Sequence, residues 1–197
     1  MPEPIRVTEV LNYFKEPWYI DWVHKVGRTE ANKIGKAAMK VGSRVDELIK
    51  DSGNGWVAHK TSDSQEVWNC CKAYNKWVEV YKPGIVCPGT RLFATIEGKE
   101  VTGEPDIFVD GVLVDIKCSS KISPSYWVQV NMYRRLQGKS MDKVAILRLD
   151  KVTASYEYVV KDYDPKLVSV WCGIMRAYVY FKGDENGGLD IQEVGAE

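Results

Sequence analysis

The feature that most constrains this chain is a dipeptide, Asp110-Gly111, set between two short apolar runs. Asp-Gly in that setting is a strong hairpin signal, because a two-residue turn of the mirror-image type needs positive φ at both central positions. A two-residue loop also fixes the register. Val109 then faces Val112, Phe108 faces Leu113 and Ile107 faces Val114, which sets Asp106 opposite Asp115 and Glu104 opposite Lys117. Side chains alternate along a strand, so Asp106, Asp115 and Lys117 share one face. Ile107, Val109, Val112, Val114 and Ile116 share the other, which is the expected core face.

Directly opposed residues lie about 4.5–5.5 Å apart at Cβ, and like charges at that distance destabilise a hairpin. Two carboxylates forced together need a cation, and a hard divalent ion with oxygen ligands is the natural one. Lys117 reaches the same spot and can hold a water or a phosphate oxygen. The plainer alternative is a solvated outer face on which Asp and Lys simply meet water. A bulged turn would shift the register and spoil the opposition.

The rest of the chain frames this hairpin. Residues 8–50 read as mostly helical: Val10, Leu11 and Phe14 recur at helical spacing, Pro17 breaks the first helix, and a second covers 34–50 before Gly53-Asn54-Gly55. A third helix covers 64–81, with Val67, Cys71, Tyr74 and Val78 on one stripe. Strands are expected at 91–97, 104–109, 112–118 and 143–149, and a further one at 155–161. Ser123-Pro124 suits the N-cap and first position of a helix that runs to Gln137, with Gly138 at its end. A last helix covers 165–181, and the Gly-, Asp- and Glu-rich tail from Gly183 is expected to fray. This order predicts an α/β sandwich around a central mixed sheet, with an N-terminal helical region. The expected division is one domain over 1–182, mostly helical to 82 and α/β from 86, followed by a tail at 183–197.

Length and composition fit one soluble domain. The chain has 197 residues, 45% of them hydrophobic. No run of about 18 apolar residues suggests a membrane span, and the start MPEPIRVTEV lacks a basic segment leading into an apolar one. The 27 basic and 27 acidic residues balance, so any surface that holds a polyanion must be local. Five cysteines, Cys70, Cys71, Cys87, Cys118 and Cys172, form no CxxC pair. They read as reduced thiols of a cytoplasmic protein.

Pro105-Asp106, eight intervening residues, then Asp115-Ile116-Lys117 resembles the PD-(D/E)xK nuclease motif. Gln129 and Tyr133 in the next helix match the QxxxY pattern of RecB-like nucleases, and residues four apart share a helix face. Gly42-Ser43-Arg44-Val45-Asp46 is similar to the upstream GxxxH motif, with Asp46 in place of histidine. The helices from Val7-Thr8-Glu9-Val10-Leu11 to Gly42, and Asp115 to Lys121 followed by Trp127 and Gln129, are similar to phage-type exonucleases. The resemblance covers roughly residues 5–150.

It implies a restriction-endonuclease-like core and hydrolysis of phosphodiester bonds in DNA, leaving a 5′-phosphate. Asp106, Asp115, the carbonyl of Ile116 and Asp46 would hold one or two Mg²⁺ or Mn²⁺ ions, Lys117 would orient water, and Gln129 would bond Lys117 or the DNA backbone. Tyr133 would brace Gln129 or touch a phosphate. The plain alternative for Asp46 is a surface residue on a helix. Tyr126 and Trp127 are candidates for stacking on a base or for packing. Lys121, Arg134 and Arg135 are candidates for phosphate contacts or for a solvated face. The glutamate that many relatives carry in the preceding strand has no clear counterpart, with Glu97, Glu79 and Glu66 as imperfect substitutes. An iron–sulfur cluster is not expected, since only Cys172 lies far enough downstream. The role implied is an exonuclease in recombination, repair or replication of a phage or similar genome, acting in a bacterial cytoplasm. A single-strand annealing or replication protein could be its partner. A structure-specific endonuclease and a catalytically decayed DNA-binding relative stay open as alternatives.

Overall fold

A computed structural model describes residues 3–52, 56–84, 86–138 and 141–184. The expected stop at Gly53-Asn54-Gly55 lies outside them. The last helix takes in residues 183 and 184, and the rest of the expected tail lies outside the described residues.

The helices are α1 (Val7–Tyr13), α2 (Pro17–Val26), α3 (Arg28–Asp51), α4 (Gln65–Tyr81), α5 (Pro124–Gln137) and α6 (Pro165–Asp184). Pro17 opens α2 at a position where its missing N–H costs nothing. The helix expected from residue 34 begins at Arg28, because Gly27, with φ of 85°, closes α2 just before it. Ser64 caps α4 through its side chain. Among the described residues no helix is long and apolar enough to cross a membrane.

The strands are β1 (Ile5–Arg6), β2 (Val86–Pro88), β3 (Leu92–Ile96), β4 (Lys99–Gly103), β5 (Ile107–Val109), β6 (Val112–Lys117), β7 (Lys143–Leu149) and β8 (Tyr156–Asp162). The central sheet has the order β2-β5-β6-β7-β8 and is mixed, with β6 and β7 parallel and the other pairs antiparallel. A parallel pair needs a crossover, and α5 supplies it. A second sheet, β1-β4-β3, was not foreseen. The reading missed β4 and its hairpin to β3, because Glu97-Gly98 is a weaker turn signal than Asp110-Gly111 and β4 is polar at both ends.

The strand expected over 104–109 is shortened to its second half, β5. Pro105 has no N–H for a ladder, so the chain leaves the small sheet after Gly103 and enters the central one at Ile107. Within the central hairpin the expected register holds: Ile107 pairs Val114, Phe108 pairs Leu113 and Val109 pairs Val112.

Both faces of β6 are covered. Ile107, Val109 and Val114 join Val45, Leu48, Tyr74 and Trp77 of α3 and α4 in one core cluster, with Val112 and Ile116 packed against it. Leu113 and Ile146 join residues of α1, α5 and α6 in another. The face that carries Asp115 and Lys117 is therefore not a solvated exterior. It lies under α5, beside an apolar core.

Candidate active site

Asp115 occupies the fourth position of β6 and is 1% exposed. Its strand is central, flanked by β5 and by β7, where Ile146 is its ladder partner. Gln129 of α5 donates from Nε2 to Asp115 Oδ1 at 3.2 Å and to the Tyr133 hydroxyl at 2.8 Å. The i, i+4 spacing places both residues on the helix face that looks down on β6. Gln129 thus holds Asp115, where the resemblance implies Lys117 or the DNA backbone as its partner, and Tyr133 braces Gln129. Tyr133 needs a bare backbone beneath it: a Cβ at Gly103 would lie 2.5 Å from its ring.

The expected opposition of Asp106 and Asp115 does not form. The β5–β6 ladder ends at Ile107, and Asp106 instead turns its carboxylate onto the backbone of β6, accepting the Ile116 N–H at 2.6 Å. A charge-assisted hydrogen bond replaces a like-charge cross-strand pair. Gly89 permits this approach, since its N–H donates to the Asp106 carbonyl at 2.9 Å and a Cβ there would collide with the Pro105 carbonyl. The two carboxylates still repel each other. Burial, then the Asp115 charge, pushes Asp106 up to about 7. Burial raises Asp115 as well.

Lys117 lies 2.8 Å from Asp115 Oδ2, and its ammonium is the sole partner of that oxygen among the described residues. Burial alone would lower Lys117, but attraction to Asp115 and Asp106 more than reverses it and raises the group. The ammonium also sits 5.1 Å from the centre of the Tyr126 ring.

Asp46 stands at the rim. It pairs with Lys50 at 3.0 Å, one helical turn on, and Lys50 reaches Glu104 at 3.4 Å. Glu104 also meets Arg91 at 3.4 Å. Glu104 is therefore the carboxylate beside the hairpin, while Glu97 pairs with Arg176, Glu66 with Lys151, and Glu79 is exposed on α4. The i, i+4 spacing of Asp46 and Lys50 was readable in the sequence; the link to Glu104 spans 54 residues and was not.

The other candidates divide. Tyr126 is at the site, and Lys121 lies 4.5 Å from the Trp18 ring. Trp127 packs in the core at 9% exposed, with Lys161 over its ring. Arg134 is tied to the Met141 carbonyl and stacked on Tyr163. Arg135 is exposed and, two residues from Tyr133, lies on the opposite side of α5. Ser123 sits at the N-cap of α5, but its hydroxyl donates to Glu16 instead of capping.

The donor set suits a hard divalent ion. Two carboxylates converge, one with an oxygen that no neutral donor satisfies, and the Ile116 carbonyl belongs to the same strand. Among the described residues no three His, Cys, Asp or Glu side chains form a metal cage.

Comparison with solved structures adds the fold. The alkaline exonuclease LHK-Exo from Laribacter hongkongensis superposes with a TM-score of 0.52 at 14% identity, covering 92% of this chain and 89% of its own. The chain has an exonuclease fold. The same enzyme in complex with dAMP gives a TM-score of 0.51 at 15% identity, over the same shares. A putative exonuclease from Eubacterium rectale gives 0.54 at 14% identity, covering 78% of this chain and 69% of its own. No protein-family model and no curated protein matches the sequence. The exonuclease fold is thus carried by a sequence far diverged from these neighbours.

Proposed function

We propose that the chain is a metal-dependent deoxyribonuclease that hydrolyses phosphodiester bonds at DNA ends. The observation that carries this reading is the cluster of buried Asp115 with half-buried Asp106 and Lys117 under α5, its carboxylates raised and crowded. The exonuclease fold supports it, and the complex of a structural neighbour with dAMP fits a nucleotide ligand.

Asp106, Asp115 and the Ile116 carbonyl would hold one or two Mg²⁺ or Mn²⁺ ions, with Asp46 as a further oxygen donor from the rim. When bound, such an ion supplies a more acidic water and stabilises charge on the phosphate. The protein's own part is positioning. Gln129 locks Asp115 in one orientation, and Tyr133 locks Gln129. Lys117 stays charged across the neutral range, pinned by Asp115, and offsets charge that develops on the phosphate and the attacking water. An end-processing enzyme of recombination, repair or replication is the role that follows.

The test compares linear and closed circular DNA in Mg²⁺. The wild type degrades the linear form and spares the circle, while Asp106→Ala and Asp115→Ala fall to background with folding intact. Wild-type rates in both variants overturn the assignment, and cutting of the circle moves it to an endonuclease.

A further inference from the structure

Between the α1–α2 turn and the start of α5 lies a cleft of about 410 Å³ that opens directly onto Lys117 and Gln129. Its wall is aromatic. Trp18 and Tyr19 stand on one side and Tyr126 on the other. Tyr126 packs partly against the core, but packing does not account for the α2 side of this wall. No residue of α2 is buried, although the helix carries Trp18, Tyr19, Ile20 and Trp22, and Trp18 is 46% exposed.

Each ring has its own lysine. Lys15 lies 5.5 Å from the centre of Tyr19, Lys121 lies 4.5 Å from Trp18, and Lys117 lies 5.1 Å from Tyr126. The wall is also held in place. Glu16 accepts hydrogen bonds from Ser123, Ser125 and the Trp18 indole, which tie the α1–α2 turn to α5 across more than a hundred residues. Burial would raise the Glu16 carboxyl, but those hydrogen bonds outweigh it and hold it charged, so the clamp persists at neutral pH.

We infer that this cleft is the groove for the unpaired end of a DNA strand, whose bases stack on Trp18, Tyr19 and Tyr126 while its phosphates meet Lys15 and Lys121. The inference rests on the nuclease reading and names the form of substrate that reading leaves open. Aromatic platforms interleaved with cations are how proteins bind single strands without reading sequence. The cleft lies in the size range of small-ligand pockets, about 300–1,000 Å³, which suits a few nucleotides of one strand and leaves no room for the second. Because it opens on Lys117, a strand lying in it delivers its phosphate to the carboxylates.

The experiment measures binding in EDTA, where hydrolysis is stopped. The probes are a fluorescent oligothymidylate and an abasic oligomer of the same length and charge. The wild type favours the oligothymidylate by at least about 5- to 140-fold, the worth of one stacked base. Trp18→Ala lowers that ratio at least several-fold, with Tyr19 and Tyr126 keeping the remainder, and Trp18→Phe keeps most of it. Equal binding of both probes by the wild type, or an unchanged ratio in Trp18→Ala, overturns the groove. Asp115→Asn separates the two readings, since it keeps the binding ratio while cleavage is lost. A base-dependent ratio without any wild-type cleavage would leave the groove standing and remove the nuclease.

Discussion

The polar cluster around Asp106 has an inner and an outer half, and they differ in kind. The inner half, Asp106, Asp115, Lys117, Gln129 and Tyr133, is built on β6, the turn before β5 and α5, with Asp115 1% exposed. The outer half, Asp46, Lys50, Glu104 and Arg91, is a chain of ion pairs whose side chains are 33–58% exposed. In the inner half burial dominates: it raises both carboxylates and makes each hydrogen bond costly to lose. In the outer half water screens the charges, and such pairs are worth about 0–1 kcal/mol each. The inner groups are therefore fixed before any ligand arrives. The outer groups can exchange partners at little cost, as a residue must if it is to leave a lysine for a metal ion.

The sharpest way to break this contrast is Lys117→Ala. Under the proposed role, in which the inner lysine is a fixed charge acting on water and phosphate, its loss lowers the cleavage rate by about 10²–10³-fold, the scale of removing one preorganised stabilising group. Metal affinity, read by calorimetry, changes little. If affinity collapses with the rate, Lys117 belongs to the metal site and the division of roles falls.

The next test is pH. A free aspartate titrates near 3.8, whereas folded Asp106 titrates at about 7. Between those values the folded state binds the proton more tightly than the unfolded state, so stability falls as pH rises from about 4 to about 7 and is flat beyond. In EDTA the melting temperature drops by roughly 5 °C over that window, the size of a change of one to two kcal/mol. Asp106→Asn shrinks the drop to the part that Asp115 contributes, and Mg²⁺ reverses it at pH 8 by offsetting the charge of the ionised carboxylates. A metal-free melting curve independent of pH across this range would mean that the inner carboxylates are not strained by burial.

The inner half was the more legible in sequence, because its spacings are local. Asp-Gly set the register, Asp115 and Lys117 are two apart on one strand face, and Gln129 and Tyr133 are one helical turn apart. What failed there was the last rung: Pro105 ends the ladder before Asp106 can oppose Asp115, and the backbone of Ile116 takes the carboxylate instead. The fold class was legible for the same reason, since α5 between two parallel strands is a periodic signal. The small sheet was not: β1 is two residues long, and β4 pairs with β1 and β3 rather than with β5. Nor was the Glu16 clamp, because nothing local to Glu16 indicates Ser123.

The smallest effect belongs to Asp46, which tests whether the outer half takes part at all. Asp46 sits where the resembling family carries histidine, and its negative charge is felt by both Asp106 and Asp115. Its pairing with Lys50 at 3.0 Å is exposed and easily exchanged, so the carboxylate is available as a hard oxygen donor. Hard Mg²⁺ prefers oxygen ligands, and Mn²⁺ tolerates imidazole better. Asp46→His therefore keeps activity but raises the Mn²⁺ to Mg²⁺ rate ratio, and Asp46→Ala loses at least about 10-fold, the low end of what impairing a metal site costs. Lys50→Ala separates the two roles of Asp46: it removes the ion pair and leaves the carboxylate, so the metal dependence stays that of the wild type. Metal titrations of cleavage by the wild type and these three variants decide it. Indistinguishable curves for the wild type and the two Asp46 variants would make the outer half a solvated helix surface and leave the metal to the inner carboxylates alone.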